Sequence, residues 1–140
     1  MVEAIVGRKG GGKTAAIMKM INELSQNEDN NIVCLEVGRR FDGHVPYTVR
    51  LVDVEEFPLQ GYGQVLAFIA GIIAKDYDIS HIFLDSIYKI AKVEGSEGLT
   101  DFVKALDELA HNFEVQVYLT ISDDPEALPS DLTPYLNIHH

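Results

Sequence analysis

Ala4-Ile5-Val6-Gly7-Arg8-Lys9-Gly10-Gly11-Gly12-Lys13-Thr14-Ala15 joins a short apolar run to a glycine-rich loop and then to a helical pattern. From Gly7 to Thr14 the stretch satisfies G-x-x-x-x-G-K-[ST] in full. A chance match somewhere in a chain this short has odds on the order of one per cent, and the position between a strand and a helix lowers them further. Glycines let the backbone curl so that successive N–H groups point inward at phosphate oxygens. Lys13 would place a positive charge near the β- and γ-phosphates, and the Thr14 hydroxyl could ligate Mg²⁺. The helix that begins here turns its positive end toward the same anion, so Gly7, Arg8, Lys9, Gly10, Gly11, Gly12, Lys13, Thr14 and Ala15 form one candidate nucleotide cradle.

Outward from this loop, period-two and period-3.6 patterns alternate. Strands are expected at Val2 to Val6, Ile32 to Val37, His81 to Leu84 and Val115 to Ile121, with shorter ones at Thr48 to Val52 and Tyr135 to Ile138. Helices are expected at Lys13 to Ser25, at Gln64 to Lys75 (nearly all apolar, as suits packing on a sheet) and from Leu99 to Phe113 with Thr100 as its cap. The alternation predicts an α/β fold, three-layer αβα, around a mainly parallel five-stranded sheet. Ligands of such sheets sit beyond the strand C-terminal ends. Gly7, Glu36, Asp85 and Thr120 to Ser122 all fall there.

Composition agrees with one domain at 140 residues, long enough to bury roughly two-thirds of its unfolded surface. The single cysteine, Cys34, lies in a strand-like run and reads as a small buried hydrophobe. No apolar stretch is long enough to cross a bilayer and no signal-peptide pattern opens the chain, so a cytoplasmic protein with no membrane partner is expected. The net charge of −11 is uneven: residues 1–50 carry seven Lys/Arg against six Asp/Glu, and residues 51–140 carry four against sixteen. Such a surface repels a polyanion, and nucleic acid is not an expected partner.

Two carboxylates carry the candidate chemistry. Ile82-Phe83-Leu84-Asp85 is a Walker B pattern, three apolar residues and then an acid at the strand mouth, where Asp85 would hold Mg²⁺ opposite Thr14. Glu36, at the end of the second strand, is the candidate group to orient the attacking water, with Lys13 as its catalytic companion. A solvated strand end is the plain alternative for Glu36. Tyr47, Tyr62 and Tyr88 are read as packing residues, and His139-His140 as terminal residues with no assigned role.

Asp85-Ser86-Ile87 after its apolar strand resembles the Walker B segment of the RecA/DnaB/KaiC-type ATPases. Leu99 to Ser122 is similar to that family's amphipathic helix and following strand, and Leu132 to Ile138 to the segment entering its next strand. The resemblance implies a strand at Val115 to Ile121 between the Walker A and Walker B strands. It implies a catalytic glutamate where Glu36 falls, and Thr120 or Ser122 as a sensor of the γ-phosphate. It also implies self-association or a protein partner, because family members complete the site with Arg or Lys from a neighbour. No such finger is evident in the sequence; Arg39, Arg40 and Lys89 are the stand-ins. The loop Asp123-Asp124-Pro125-Glu126 has the wrong sign for a DNA backbone.

The expectation is a slow ATPase that binds Mg²⁺ with ATP or another nucleoside triphosphate. Two alternatives stay open: a nucleotide-binding interaction module without turnover, and a small-molecule kinase using the loop Arg39 to Pro46. A dinucleotide-binding reading rests on Gly10-x-Gly12-x-x-Ala15 with Glu36.

Overall fold

The computed structural model describes residues 1–139; His140, half of the terminal pair noted above, lies outside the described residues. The chain runs β1 (Val2–Gly7), α1 (Lys13–Leu24), β2 (Ile32–Glu36), β3 (Arg50–Asp53), α2 (Gly61–Lys75), β4 (His81–Leu84), α3 (Ile87–Ala91), α4 (Leu99–Asn112), β5 (Gln116–Ser122) and β6 (Leu136–Ile138). Short 3-10 turns occupy Val54–Glu56, Pro125–Ala127 and Ser130–Tyr135.

The six strands form one sheet in the order β3-β2-β4-β5-β1-β6, and every neighbouring pair is parallel. This corrects the expectation of five mainly parallel strands, since both short candidate segments are recruited as edges. β5 lies between β1 and β4. The dinucleotide alternative does not survive this order. It needs the first two strands side by side, whereas β4 and β5 separate β1 from β2.

Side-chain alternation along the strands divides the interior in two. Ala4, Val6, Val33, Leu35, Ile82, Leu84, Val117, Leu119 and Ile121 join the buried residues of α2, α3 and α4 in the larger cluster. Ile5, Ile32, Cys34 and Phe83 face the other way, against Ile17 and Ile21 of α1 and against Phe41 and Val49 from the β2–β3 connection. Helices therefore cover both faces. The same alternation carried to the strand ends sends Glu36, Asp85 and Thr120 to the α1 side, because they follow Cys34, Phe83 and Tyr118 by two residues.

Local expectations met tertiary competition in three places. α4 begins at Leu99 with Gly98 (φ 84°) as its cap position, so Thr100 lies inside the first turn and caps nothing. α2 starts earlier than expected, at Gly61. It buries Val65, Ile69 and Ile73, while its small residues Ala67, Gly71 and Ala74 remain exposed. α3 was not anticipated: five residues give too little periodicity to detect. No helix among the described residues is long and apolar enough to cross a membrane.

Candidate functional site

The loop from Gly7 to Gly12 links the interior strand β1 to α1, and its curl depends on two left-handed residues, Gly10 (φ 81°) and Gly12 (φ 87°). A side chain at either position would strain the turn. Gly12 is also the cap position of α1, which has no side-chain cap. The first N–H groups of the helix are thus left without a side-chain acceptor at the loop mouth.

Lys13 is buried, and its ammonium donates to two carbonyls of its own loop, Gly7 O at 2.9 Å and Arg8 O at 2.8 Å. Burial lowers its pKa from the usual lysine value, and the nearby Asp85 charge opposes the shift. The next residue, Thr14, donates its hydroxyl to Asp85 Oδ2 at 2.9 Å. Asp85 is itself buried, and its Oδ1 accepts from the Thr120 hydroxyl at 2.9 Å. Thr120 Oγ1 in turn accepts from Ser86 N. With its proton directed at Asp85, Thr120 holds the carboxylate in place and has no donor for a phosphate in this arrangement. Ser122, the other candidate sensor, also lines the cleft.

The cleft measures about 320 Å³. Lys9, Gly10, Gly12, Lys13, Thr14, Arg40, Asp85, Ser86, Lys89, Thr120 and Ser122 line it. Four cations against one carboxylate make it an electropositive spot on a chain of net charge −11, an arrangement that attracts and holds small anions. Thr14 and Asp85 offer a cation one hydroxyl and one carboxylate. Among the described residues no group of three His, Cys, Asp or Glu side chains could hold a metal. A metal ion there would complete its shell with phosphate and water oxygens, the usual habit of Mg²⁺. The residues present fit a metal–triphosphate and not a metal alone.

Of the other expected residues, Arg8 is exposed, 3.9 Å from Asp124, and contributes little in that exposed setting. Gly11 N closes the loop onto Arg8 O at 3.1 Å, and Ala15 lies exposed in the first turn of α1. Glu36 is brought to the same sheet edge, but it lines the neighbouring cavity beneath the β2–β3 connection and not this cleft. It is 2% exposed, and its Oε1 accepts from Arg40 N at 2.7 Å and Phe41 N at 3.0 Å. Burial raises its pKa above the usual glutamate value. Those two N–H groups pull it back, and Asp53 and Asp85 push it up further.

Two contacts were not legible in the sequence. His139 N donates to Val6 O at 2.8 Å, which lays the residue along the loop with its Nε2 2.8 Å from Gly11 O. Tyr88 donates to Asp123 Oδ2 at 2.8 Å while Asp123 N donates to Gly7 O at 3.1 Å, so the acidic loop braces the cradle. Of the three stand-in cations, Arg40 enters the cleft from the β2–β3 connection and Lys89 lines it too, whereas Arg39 pairs with Glu56 at 3.0 Å outside it. Of the tyrosines read as packing residues, Tyr62 packs its ring at a tilt against Phe102, centroids 5.0 Å apart, and Tyr88 is half-buried. Tyr47 corrects that reading: it is 98% exposed.

Ser86 sits at φ 68°, ψ 71°, and unlike Lys92 and Glu114 it is not at a helix C-terminus. That backbone costs a residue with a Cβ about 1 kcal/mol. Ser86→Gly should therefore gain about 0.5–1 kcal/mol of stability, and the bulkier, β-branched Ser86→Val should lose at least as much. Urea unfolding of the two variants checks the opposite signs.

A scan against models of protein families gave no match to this chain, and a search among curated proteins gave none either.

Proposed function

We propose that this chain is a P-loop protein that binds Mg²⁺ with ATP or another nucleoside triphosphate in the cleft at the end of β1. On this reading it is a minimal RecA-like ATPase that turns over slowly and acts through self-association or a protein partner. The observation that carries the reading is the convergence of Lys13, Thr14 and Asp85 in a cleft of four cations and one carboxylate. Its position at a parallel sheet's C-terminal edge, with β5 between β1 and β4, adds support.

In this reading the N–H groups of Gly10 and of Gly12 to Ala15 receive the phosphates, and Lys13 exchanges its loop carbonyls for phosphate oxygens. Thr14 and Asp85 would hold Mg²⁺, whose contribution is to neutralise phosphate charge and polarise the terminal phosphoryl group. Thr120 fixes the orientation of Asp85. Glu36, already biased toward holding a proton, would accept one from a water attacking the terminal phosphorus as the bond to the leaving diphosphate breaks.

One observation favours a module without turnover. Glu36 Oε1 is engaged by two backbone N–H groups and the residue lies outside the cleft, so hydrolysis needs the β2–β3 connection to shift. Glu36→Gln separates the two. As an ATPase, the variant keeps nucleotide affinity and loses phosphate release by a hundredfold or so. As a module, both quantities match the wild type. Calorimetric titration with ATP and GTP alongside a phosphate-release assay reads both.

A further inference from the structure

Arg40 occupies a position that the nucleotide reading reserves for something else. Its Nη2 donates to Thr14 Oγ1 at 2.8 Å and lies 3.8 Å from Asp85 Oδ2. These are the two oxygens that would hold the metal ion. The Thr14 hydroxyl thus donates to a carboxylate and accepts from a guanidinium, a closed three-residue arrangement in which Arg40 supplies the positive charge that Asp85 needs. A divalent cation bound to Thr14 and Asp85 would be within a few ångströms of that guanidinium, and two cations cannot share so small a seat at low cost.

The backbone of Arg40 is tied to the end of β2. Its N–H is held by Glu36 Oε1, and the next residue, Phe41, is fully buried against α1 and β4. The side chain, by contrast, is half-exposed and can swing. Displacing it needs no core rearrangement.

We propose that Arg40 is a built-in occupant of the metal seat. Its guanidinium neutralises Asp85 and holds the Thr14–Asp85 pair when no cation is bound, and a metal–nucleotide complex must expel it from that seat. Arg40 is thus a positioning residue that makes the free site stable and narrows the difference in affinity between metal-loaded and metal-free nucleotide. This inference rests on the nucleotide-binding reading, and its consequence is a particular dependence of affinity on the metal. In the wild type Arg40 supports metal-free nucleotide and competes with the metal, so the difference between the two affinities is compressed.

The test is equilibrium titration with a fluorescent ATP analogue, once in excess EDTA and once in millimolar Mg²⁺, for wild type, Arg40→Ala, Arg40→Lys and Lys13→Ala. The expected result is that Arg40→Ala widens the ratio of the two affinities by about tenfold, the value of one charge-assisted contact. Arg40→Lys, keeping the charge, stays nearer the wild type. An unchanged ratio in Arg40→Ala, with tight wild-type binding that Lys13→Ala abolishes, overturns the role of Arg40 and leaves the nucleotide reading standing. Absence of wild-type binding in both buffers overturns the two together. Because Arg40 is half-exposed and its backbone bond does not depend on its side chain, the variants should fold.

Discussion

Lys13→Ala should lower nucleoside triphosphate affinity by about a hundredfold while leaving the fold intact. The ammonium is buried with its hydrogen bonds directed only to Gly7 O and Arg8 O, and it makes no ion pair among the described residues. A desolvated cation held by carbonyls alone is under-neutralised, and a phosphate arriving at the loop supplies the missing charge. Two charge-assisted contacts of this kind amount to about 3 kcal/mol, which is the hundredfold.

Stability should respond differently. Removing Lys13 strands neither acceptor, because Gly7 O still receives Asp123 N and Arg8 O still receives Gly11 N, each at 3.1 Å. The lowered pKa fixes the sign of the pH effect. The protonated amine is disfavoured in the folded state, so it costs stability at every pH below its lowered value, and the cost fades as pH rises toward 10.5. Lys13→Ala should therefore unfold within about 1 kcal/mol of the wild type at neutral pH, on the stable side if anything. Any advantage should shrink in alkaline buffer. Calorimetric titration paired with denaturant melts separates the two effects. Unchanged affinity would remove Lys13 from the site.

Much of this was legible because the strong signals are local. Gly7 to Thr14 is contiguous, and the apolar runs of β1, β2, β4 and β5 are bounded by polar turns, so the α/β alternation and the strand ends could be read directly. Once the alternation is known, the placement of Glu36, Asp85 and Thr120 on the α1 side follows from their spacing to Cys34, Phe83 and Tyr118. What could not be read depends on contacts between distant segments. The edge strands β3 and β6, four and three residues long, overlap the short strands expected from the sequence, but their places in the sheet come only from pairing with β2 and β1. Arg40 has no periodic or motif signal; only the folding back of the β2–β3 connection brings it to Thr14, 26 residues away. Glu36 was legible as an anomalous acid in an apolar strand. Its attachment to Arg40 N and Phe41 N was not, because those partners lie on a connection without regular structure.

That attachment predicts a large structural effect. Glu36→Ala should destabilise the protein by about 2–4 kcal/mol. The carboxylate oxygen is the acceptor for Arg40 N and Phe41 N, and Phe41 N is buried, so deletion leaves at least one donor without water or a partner. Phe41, 0% exposed, is the residue this turn delivers to the core beneath α1, and its packing loosens with the turn. Glu36→Gln keeps an acceptor oxygen in place and should stay within about 1 kcal/mol of the wild type at pH 7. The two variants also differ from the wild type in pH dependence. A carboxyl whose folded pKa is raised costs nothing while protonated in both states. Its cost grows as pH climbs from 4.5 through the raised value, then stays constant. Both substitutions should abolish that component of the slope, but only Glu36→Ala should lower the whole curve. Equal stability of Glu36→Ala and Glu36→Gln across pH 4–8 would mean that the two N–H bonds do not hold the connection. Arg40 would then need some other support to stay beside Thr14 and Asp85.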